Sequence, residues 1–295
     1  MQDFTGSPQG YEKGWIMKEA IVVGKGVIGA AVAKELRSKG LDVLVLDSNE
    51  KLAGSPPSGG HMKPSWFSSL GSNIYEPALA KLTELFGFTE EQYRLYPLPR
   101  ACSVSLFRLN IDSVLVCEYT KAEVTKIDLL ETNAPQVTYE TEGVEIVERC
   151  KLLVVAAGVW SAKLLPNTFP PKSLVGKQGV SFRFPGQVTP FIKPWAPYKQ
   201  IVAHNVDSRS LWIGDGTAIL SKNWKESTVE VCRNRCAGSI ATKAQPFKVM
   251  QGIRPYYKAG KFQVAKIGRS AWVATGAGKH GSIVAGYAAY VIGRA

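Results

Sequence analysis

Apolar and polar positions along this chain fall into patterns that begin near Lys18. The run Glu19-Ala20-Ile21-Val22-Val23 is apolar after its first residue and stops at Gly24, which predicts a short buried strand. From Val27 to Lys39 apolar residues recur at helical spacing until Gly40 ends them, and a second apolar run, Leu41 to Leu46, follows at once. Strand, glycine turn, helix and strand within about 30 residues predict a βαβ unit with a right-handed crossover.

The patterns that follow are mixed. Residues 51–75 are rich in Gly, Ser and Pro and predict an irregular loop, within which Ser58-Gly59-Gly60-His61 offers backbone that a ligand can approach closely. Pro77 to Phe86 predicts a helix with proline in its first turn and Gly87 as its stop. Ala101 to Tyr119 and Glu123 to Val147 alternate like strands and hairpins. Lys151 to Ala156 is another buried-strand run, leading through Ala157-Gly158 into a short helix near Trp160. Leu174 to Ile219 predicts strands broken by Pro and Gly, and Glu226 to Ile240 a helix. A last strand, Ala271 to Thr275, a loop, Gly276 to Gly281, and a small-residue apolar helix, Ser282 to Ile292, close the chain.

Composition narrows the class. A chain of 295 residues buries one large domain or two intertwined ones, and 28 glycines exceed what an ordinary α/β protein needs, as phosphate-binding turns would require. A formal charge of +12 favours anionic partners: a dinucleotide, a carboxylate, RNA or an acidic surface. Lys and Arg are spread along the chain rather than gathered in runs, which ranks nucleic acid below small anions. The five cysteines lack metal-ligand spacing, so reduced thiols and no metal are expected. No apolar stretch is long enough for a bilayer, and residues 1–17, a polar segment without periodicity, lack signal-peptide features. A flexible leader, no membrane partner and a cytoplasmic location are expected.

Gly24-x-Gly26-x-x-Gly29 follows a strand and opens a helix, the context that a pyrophosphate-binding turn requires. Gly24 permits the tight turn, Gly26 admits phosphate oxygens to the backbone, and Gly29 lets helix and strand pack, with the helix N-terminus facing the anion. Asp47, about 18 residues beyond Gly29, is placed to accept hydrogen bonds from an adenosine ribose. These residues predict a bound dinucleotide.

Leu152 to Leu165 (LLVVAAGVWSAKLL), Val175-Gly176-Lys177-Gln178-Gly179, Gly252-Ile253-Arg254-Pro255 and the closing Ala274 to Ala285 (ATGAGKHGSIVA) follow the glycine turn in order. In that order they resemble the FAD-dependent D-amino-acid oxidase and glycine oxidase-like family. The resemblance implies an α/β fold: a Rossmann-type FAD-binding domain with a parallel central sheet, and a smaller mixed or antiparallel substrate domain. The FAD domain would comprise residues 18–75, 120–168 and 250–295, and the substrate domain residues 76–119 and 169–249.

By the same resemblance, FAD is held without a covalent bond along Gly24, Gly26, Val27, Ile28 and Gly29, and by Asp47 and Ser48. It would also meet Ser58, Gly59, Gly60, His61 and Met62, with the backbone of Val124 at the adenine. Ala156, Ala157, Gly158 and Trp160 would line it from the middle of the chain. Arg254, Gly278, Lys279, His280, Gly281, Ser282 and Ile283 would line it from the end. The final helix would point its N–H groups at the flavin's pyrimidine edge, where reduction leaves negative charge.

Arg254 matches the family arginine that pairs with the substrate carboxylate, a task suited to a planar, two-pronged donor. Lys279 falls where the family often has a basic or polar residue beside the flavin, where a buried cation would favour oxygen reduction or hold a second anionic group and a plain surface lysine is the alternative; His61 and His280 sit in flavin-side loops where an imidazole can exchange protons. The catalytic candidates are therefore Arg254, Lys279 and His61. Trp212 and Tyr256 stay open between pocket wall and core. The implied reaction is oxidation of an amino acid or amine to an imine by hydride transfer to flavin, with oxygen as acceptor. Two alternatives stay open: an FAD-dependent tRNA wobble-uridine modifying oxidoreductase, which the positive charge favours, and an inactive flavin-binding module. The chain departs from the family in a shorter substrate domain, in lacking the helix before the Val124 segment, and in carrying Asp rather than Glu at position 47.

Overall fold

The computed structural model describes residues 17–62, 70–97, 102–129, 134–170, 172–197, 199–260 and 262–295. Of the expected leader only Met17 lies within the described residues.

Along the chain the first elements are β1 (Lys18–Val23), α1 (Val27–Ser38), β2 (Val43–Asp47), β3 (His61–Met62), α2 (Ser72–Phe86), β4 (Thr89–Leu95), β5 (Ser103–Arg108) and α3 (Ile111–Val114). Next come β6 (Thr120–Lys121), β7 (Glu123–Asp128), β8 (Gln136–Thr141), β9 (Val144–Val155), α4 (Ser161–Leu164), β10 (Leu174–Pro185), β11 (Phe191–Ala196), β12 (Lys199–Asn205), β13 (Ser210–Gly214) and β14 (Ile219–Leu220). The chain ends with α5 (Glu226–Ser239), β15 (Lys248–Tyr257), β16 (Gln263–Gly268), β17 (Ala271–Thr275) and α6 (Gly281–Ile292).

Two large sheets result. The first has eight strands in the order β16-β17-β9-β1-β2-β6, with β7 and β8 attached through β9. Its centre is parallel: Val22 lies between Val45 of β2 and Val154 of β9, and Trp272 of β17 follows beyond Val154. Buried on both faces, these strands are near-continuous runs of Val, Leu, Ile and Ala, the pattern that a covered parallel sheet demands. Strand β9 serves two partners, pairing antiparallel with β8 in its first half and parallel with β1 from Cys150 onward. The second sheet has nine strands, in the order β14-β10-β13-β12-β11-β4-β5-β3 with β15 on the other side of β10.

Helix α6 packs against α1 and α2; α1 and α6 cover one face of the first sheet, and α2 lies against these two helices. Glu35 of α1, 2% exposed, ties α1 to α2 with charge: Lys81 of α2 lies 3.0 Å from it, and Lys39 at the end of its own helix 3.5 Å.

Several expectations from the sequence change. The helix expected from Pro77 begins at Ser72, so proline sits inside it and residues 72–75 are not loop. Gly71 makes the early start workable, since its carbonyl accepts from the N–H groups of Ile74 and Tyr75, and Pro77 omits one donor on an otherwise complete turn. His61 and Met62 pair with Arg108 and Phe107 rather than lying in irregular loop. Within the expected strands of 101–119, Ile111–Val114 is a helical turn capped by Asn110, whose side chain accepts from the Ser113 N–H. The loop Gly276 to Gly281 contains a 3-10 turn, Gly278–His280.

Helix α2 joins α1 and α6, and β15 is paired along its length with β10 of the second sheet. Among the described residues no helix is long and apolar enough to cross a membrane.

Candidate active site

The carboxyl ends of β2, β1, β9 and β17 lie side by side, and the chain leaves β1 in one direction along the sheet and reaches β9 in the other. Such a switch point opens a crevice for a ligand. Gly24 begins the turn there with φ of 98°, its N–H donating to the Leu46 carbonyl at 2.7 Å. A Cβ on Gly29 would stand 1.8 Å from the Gly24 carbonyl oxygen, so helix and turn touch backbone to backbone. Asp47 braces this turn, accepting from the Lys25 N–H and from the Asn49 N–H, each at 2.7 Å. The loop after β2 folds back over the helix start, where the Ser55 hydroxyl accepts from the Val27 N–H at 2.9 Å.

A second helix start meets the first. Helix α6 opens at Gly281 with no side-chain cap and no acid in its first turn, and a Cβ on Gly281 would come 3.6 Å from a methyl of Val27. Two helix N-termini, each the positive end of a dipole, therefore share one space. That space is a cavity of about 680 Å³, within the roughly 300–1,000 Å³ typical of cofactor and ligand sites.

Of the expected site residues, Gly24, Gly26, Val27, Ile28, Asp47, Ser48, Ser58, Gly59, His61 and Val124 line the cavity. So do Ala156, Ala157, Gly158, Trp160, Arg254, Gly278, Lys279, Gly281 and Ser282. Gly29, Gly60, Met62, His280 and Ile283 do not. Met62 and Ile283 are each 2% exposed and pack in the core beneath the site, and Gly60 packs on the Leu109 carbonyl. Lys279, left open between a buried cation and a surface lysine, is exposed at the cavity wall. Trp212 and Tyr256 are wall residues.

The second sheet closes the cavity from the other side with Val180, Ile192, Val202, Trp212 and Gly214. Arg254 reaches the cavity from β15, opposite Lys177 of β10, and its guanidinium lies over Gly179. Among the described residues no carboxylate or other side chain pairs with it. The loop after β2 is stitched to this sheet: the Ile253 N–H donates to the Leu52 carbonyl at 2.8 Å and the Ser181 hydroxyl to the Pro57 carbonyl at 2.8 Å.

A polar network that the linear sequence does not announce lies behind His61. Its Nε2 is 3.1 Å from the Tyr93 hydroxyl and 2.9 Å from Nδ1 of His204. Tyr93 donates to Glu91 at 3.0 Å, and Arg108 grips the same carboxylate, its Nε at 2.8 Å. Trp212 stacks on His204 with ring centres 5.2 Å apart. Burial, reinforced by the Arg108 guanidinium, pushes the His61 imidazole down to about 3. His204 is pushed down as well, by burial first and then by the charges of His61, Arg108 and Arg183. Tyr93 is held above its ordinary value by burial and the Glu91 carboxylate. Both imidazoles are therefore neutral at physiological pH.

The sequence profile of the FAD dependent oxidoreductase family matches residues 115–295. The chain belongs to that family, and its cofactor is FAD. Solved structures of the same fold include a glycine oxidase from Bacillus cereus ATCC 14579, at 15% identity and TM-score 0.68 over 94% of each chain. An L-proline dehydrogenase from P. horikoshii aligns at 11% identity and TM-score 0.68, covering 94% of this chain and 92% of that one. The iminodiacetate oxidase IdaA from Chelativorans sp. BNC1 aligns at 15% identity and TM-score 0.65, over 93% and 94%. A comparison with curated protein sequences gives no match. The residues present suit FAD: a backbone cradle that a Cβ would fill, two helix starts without an acid in their first turns, and a cavity lined by both polar and apolar side chains.

Proposed function

We propose that this flavoenzyme oxidises the C–N bond of an amino acid or related amine to an imine, with dioxygen as the final electron acceptor. The substrate loses two electrons and two protons, water hydrolyses the imine to a carbonyl compound and an amine, and dioxygen is reduced to hydrogen peroxide. The observation that carries the reading is Arg254, a cation without a protein partner among the described residues, set in a cavity that the same sheet also lines with Val180, Ile192, Val202 and Trp212. A guanidinium so placed fits a carboxylate through two parallel N–H···O bonds, which fix both position and rotation of the substrate. The names of the solved structures that share the fold, glycine oxidase, iminodiacetate oxidase and L-proline dehydrogenase, all refer to amino-carboxylates.

FAD, when bound, supplies the two-electron acceptor. Under this reading the Gly24 to Gly29 turn and the start of α1 would hold its pyrophosphate, Asp47 its ribose, and the backbone of Val124 its adenine. The N–H groups at the start of α6, which borders the cavity, would favour negative charge added to the ring. Ile192, Val202 and Trp212 exclude water, so the substrate is held dry and in one orientation while its Cα–H bond breaks.

The test is an absorbance spectrum of the purified protein followed by an anaerobic screen. Yellow protein bleached by glycine, sarcosine or D-alanine supports the reading; flavin that stays oxidised across a broad amine and amino-acid panel removes the substrate assignment. The charge of +12 supports a second reading, in which the oxidised group belongs to tRNA. Salt-sensitive retention of tRNA would favour it, and no retention at low ionic strength would count against it.

A further inference from the structure

The His61 network has a proton count that admits one arrangement without a repulsive contact. A phenol carries a single O–H, and Tyr93 donates it to Glu91. The Tyr93 oxygen can then only accept from His61, so His61 Nε2 carries hydrogen. That one hydrogen faces two acceptors, the Tyr93 oxygen at 3.1 Å and Nδ1 of His204 at 2.9 Å. Were Nε2 bare instead, its lone pair would oppose that of Tyr93. Arg108 locks the far end, since its Nε and Nη2 hydrogens both point at Oε1 of Glu91 and leave Oε2 to accept from Tyr93. Tyr93 is fully buried and cannot turn to water.

The consequence lies at the other ring nitrogen. With Nε2 protonated and the ring neutral, Nδ1 is a bare acceptor. It lies on the ring edge nearest Gly59, where an added Cβ would come 2.5 Å from it. Among the described residues it has no hydrogen-bond partner. Leu106, Ile192, Val202 and Trp212 make the adjoining cavity wall apolar. A fixed acceptor in an apolar wall discriminates by what it lacks: a ligand with an N–H there completes a hydrogen bond, and one without leaves a polar atom unsatisfied.

We infer that His61 Nδ1 is the recognition acceptor for an N–H donor of the bound ligand, and that Tyr93, Glu91 and Arg108 are positioning residues that fix the tautomer making it so. The inference rests on the reading of the cavity as the flavin and amine site. Two ligands carry such a donor, the amine substrate and the flavin ring, and the two are separable by experiment.

Glu91→Gln inverts the chain. Arg108 keeps its grip on the remaining amide oxygen, the new NH2 donates to the Tyr93 oxygen, and the Tyr93 O–H must then donate to His61 Nε2, which moves hydrogen to Nδ1. Long-range proton–nitrogen spectra of holoprotein with nitrogen-15 histidine read this directly. Wild type is expected to show His61 with Nε2–H, and Glu91→Gln to show Nδ1–H. A wild-type His61 that is Nδ1–H or doubly protonated at pH 7, or a Glu91→Gln spectrum equal to wild type, overturns the tautomer assignment.

The recognition role is read by two binding constants on Glu91→Gln. A KM for amine raised about tenfold, with kcat within threefold and FAD affinity unchanged, assigns the donor to the substrate. FAD affinity weakened by the same factor assigns it to the flavin. An inverted tautomer that moves neither constant overturns the role. If no amine reduces the wild-type flavin, the proposed reaction fails while the spectra and FAD affinity still decide the network.

Discussion

Acidification should destabilise this protein through two histidines in particular. His61 and His204 are buried neutral, with His61 at about 3 and His204 also below its ordinary 6.5. In the unfolded chain both regain that ordinary value, so between pH 6.5 and the folded values the unfolded state binds more protons. Stability from this source is complete above pH 6.5 and is lost as pH falls toward the folded values. From pH 7 to pH 5 each histidine contributes a loss of about 2 kcal/mol, which is the cost of keeping it neutral while its unfolded counterpart is protonated. His61 borders the cavity and water there lowers its share, so about 4 kcal/mol for the pair is an upper figure, still a large part of a typical 5–15 kcal/mol. Urea denaturation of holoprotein at pH 7 and pH 5, for wild type and His204→Gln, isolates the effect because carboxylates titrate alike in both. The variant's loss between the two pH values should be smaller by about 2 kcal/mol. Equal losses in the two proteins would refute the claim that His204 is held neutral by its surroundings.

Four further outcomes are expected. Gly29→Ala, which sets a Cβ 1.8 Å from the Gly24 carbonyl, should lose FAD on gel filtration; flavin retained at wild-type stoichiometry would show that the turn does not hold the pyrophosphate. Arg254→Leu should raise KM for a carboxylate substrate roughly a hundredfold with FAD still bound, whereas loss of FAD would make the residue structural. Thr275→Val removes the 2.7 Å bond from its hydroxyl to the Gly158 carbonyl, which joins β17 to the turn after β9, and should lower unfolding free energy by about 1 kcal/mol in urea. Ellman's reagent at pH 8 should label Cys102 and Cys117 quickly and the other three thiols only on unfolding. Cys150, Cys232 and Cys236 are buried, and burial pushes the Cys150 and Cys232 thiols up to about 12 and about 11. Five fast thiols would contradict that packing.

The βαβ unit was legible from the chain alone because its information is local. A fully apolar run must be buried on both faces, Gly24 and Gly29 occupy places where backbone meets backbone, and Asp47 ends the next strand. The closing strand and helix, and the order of motifs that marks the family, are local in the same sense. The start of α2 was not legible, because Pro77 is a strong local signal for a first turn and only the Gly71 carbonyl reveals the earlier start. Whether Lys279 is buried or exposed was not legible, because position next to a ligand loop does not fix which way a turn faces.

The network behind His61 belongs wholly to the tertiary structure. Glu91, Tyr93 and Arg108 look like ordinary polar residues of amphipathic strands, and His204 lies 143 positions from His61. Sheet registry alone sets His61 opposite Arg108 and His204 opposite Trp212. Sequence patterns record which faces avoid water, so they determine strands, helices and glycine turns. Which polar groups then share a buried space depends on contacts between distant strands, and only the folded chain decides those.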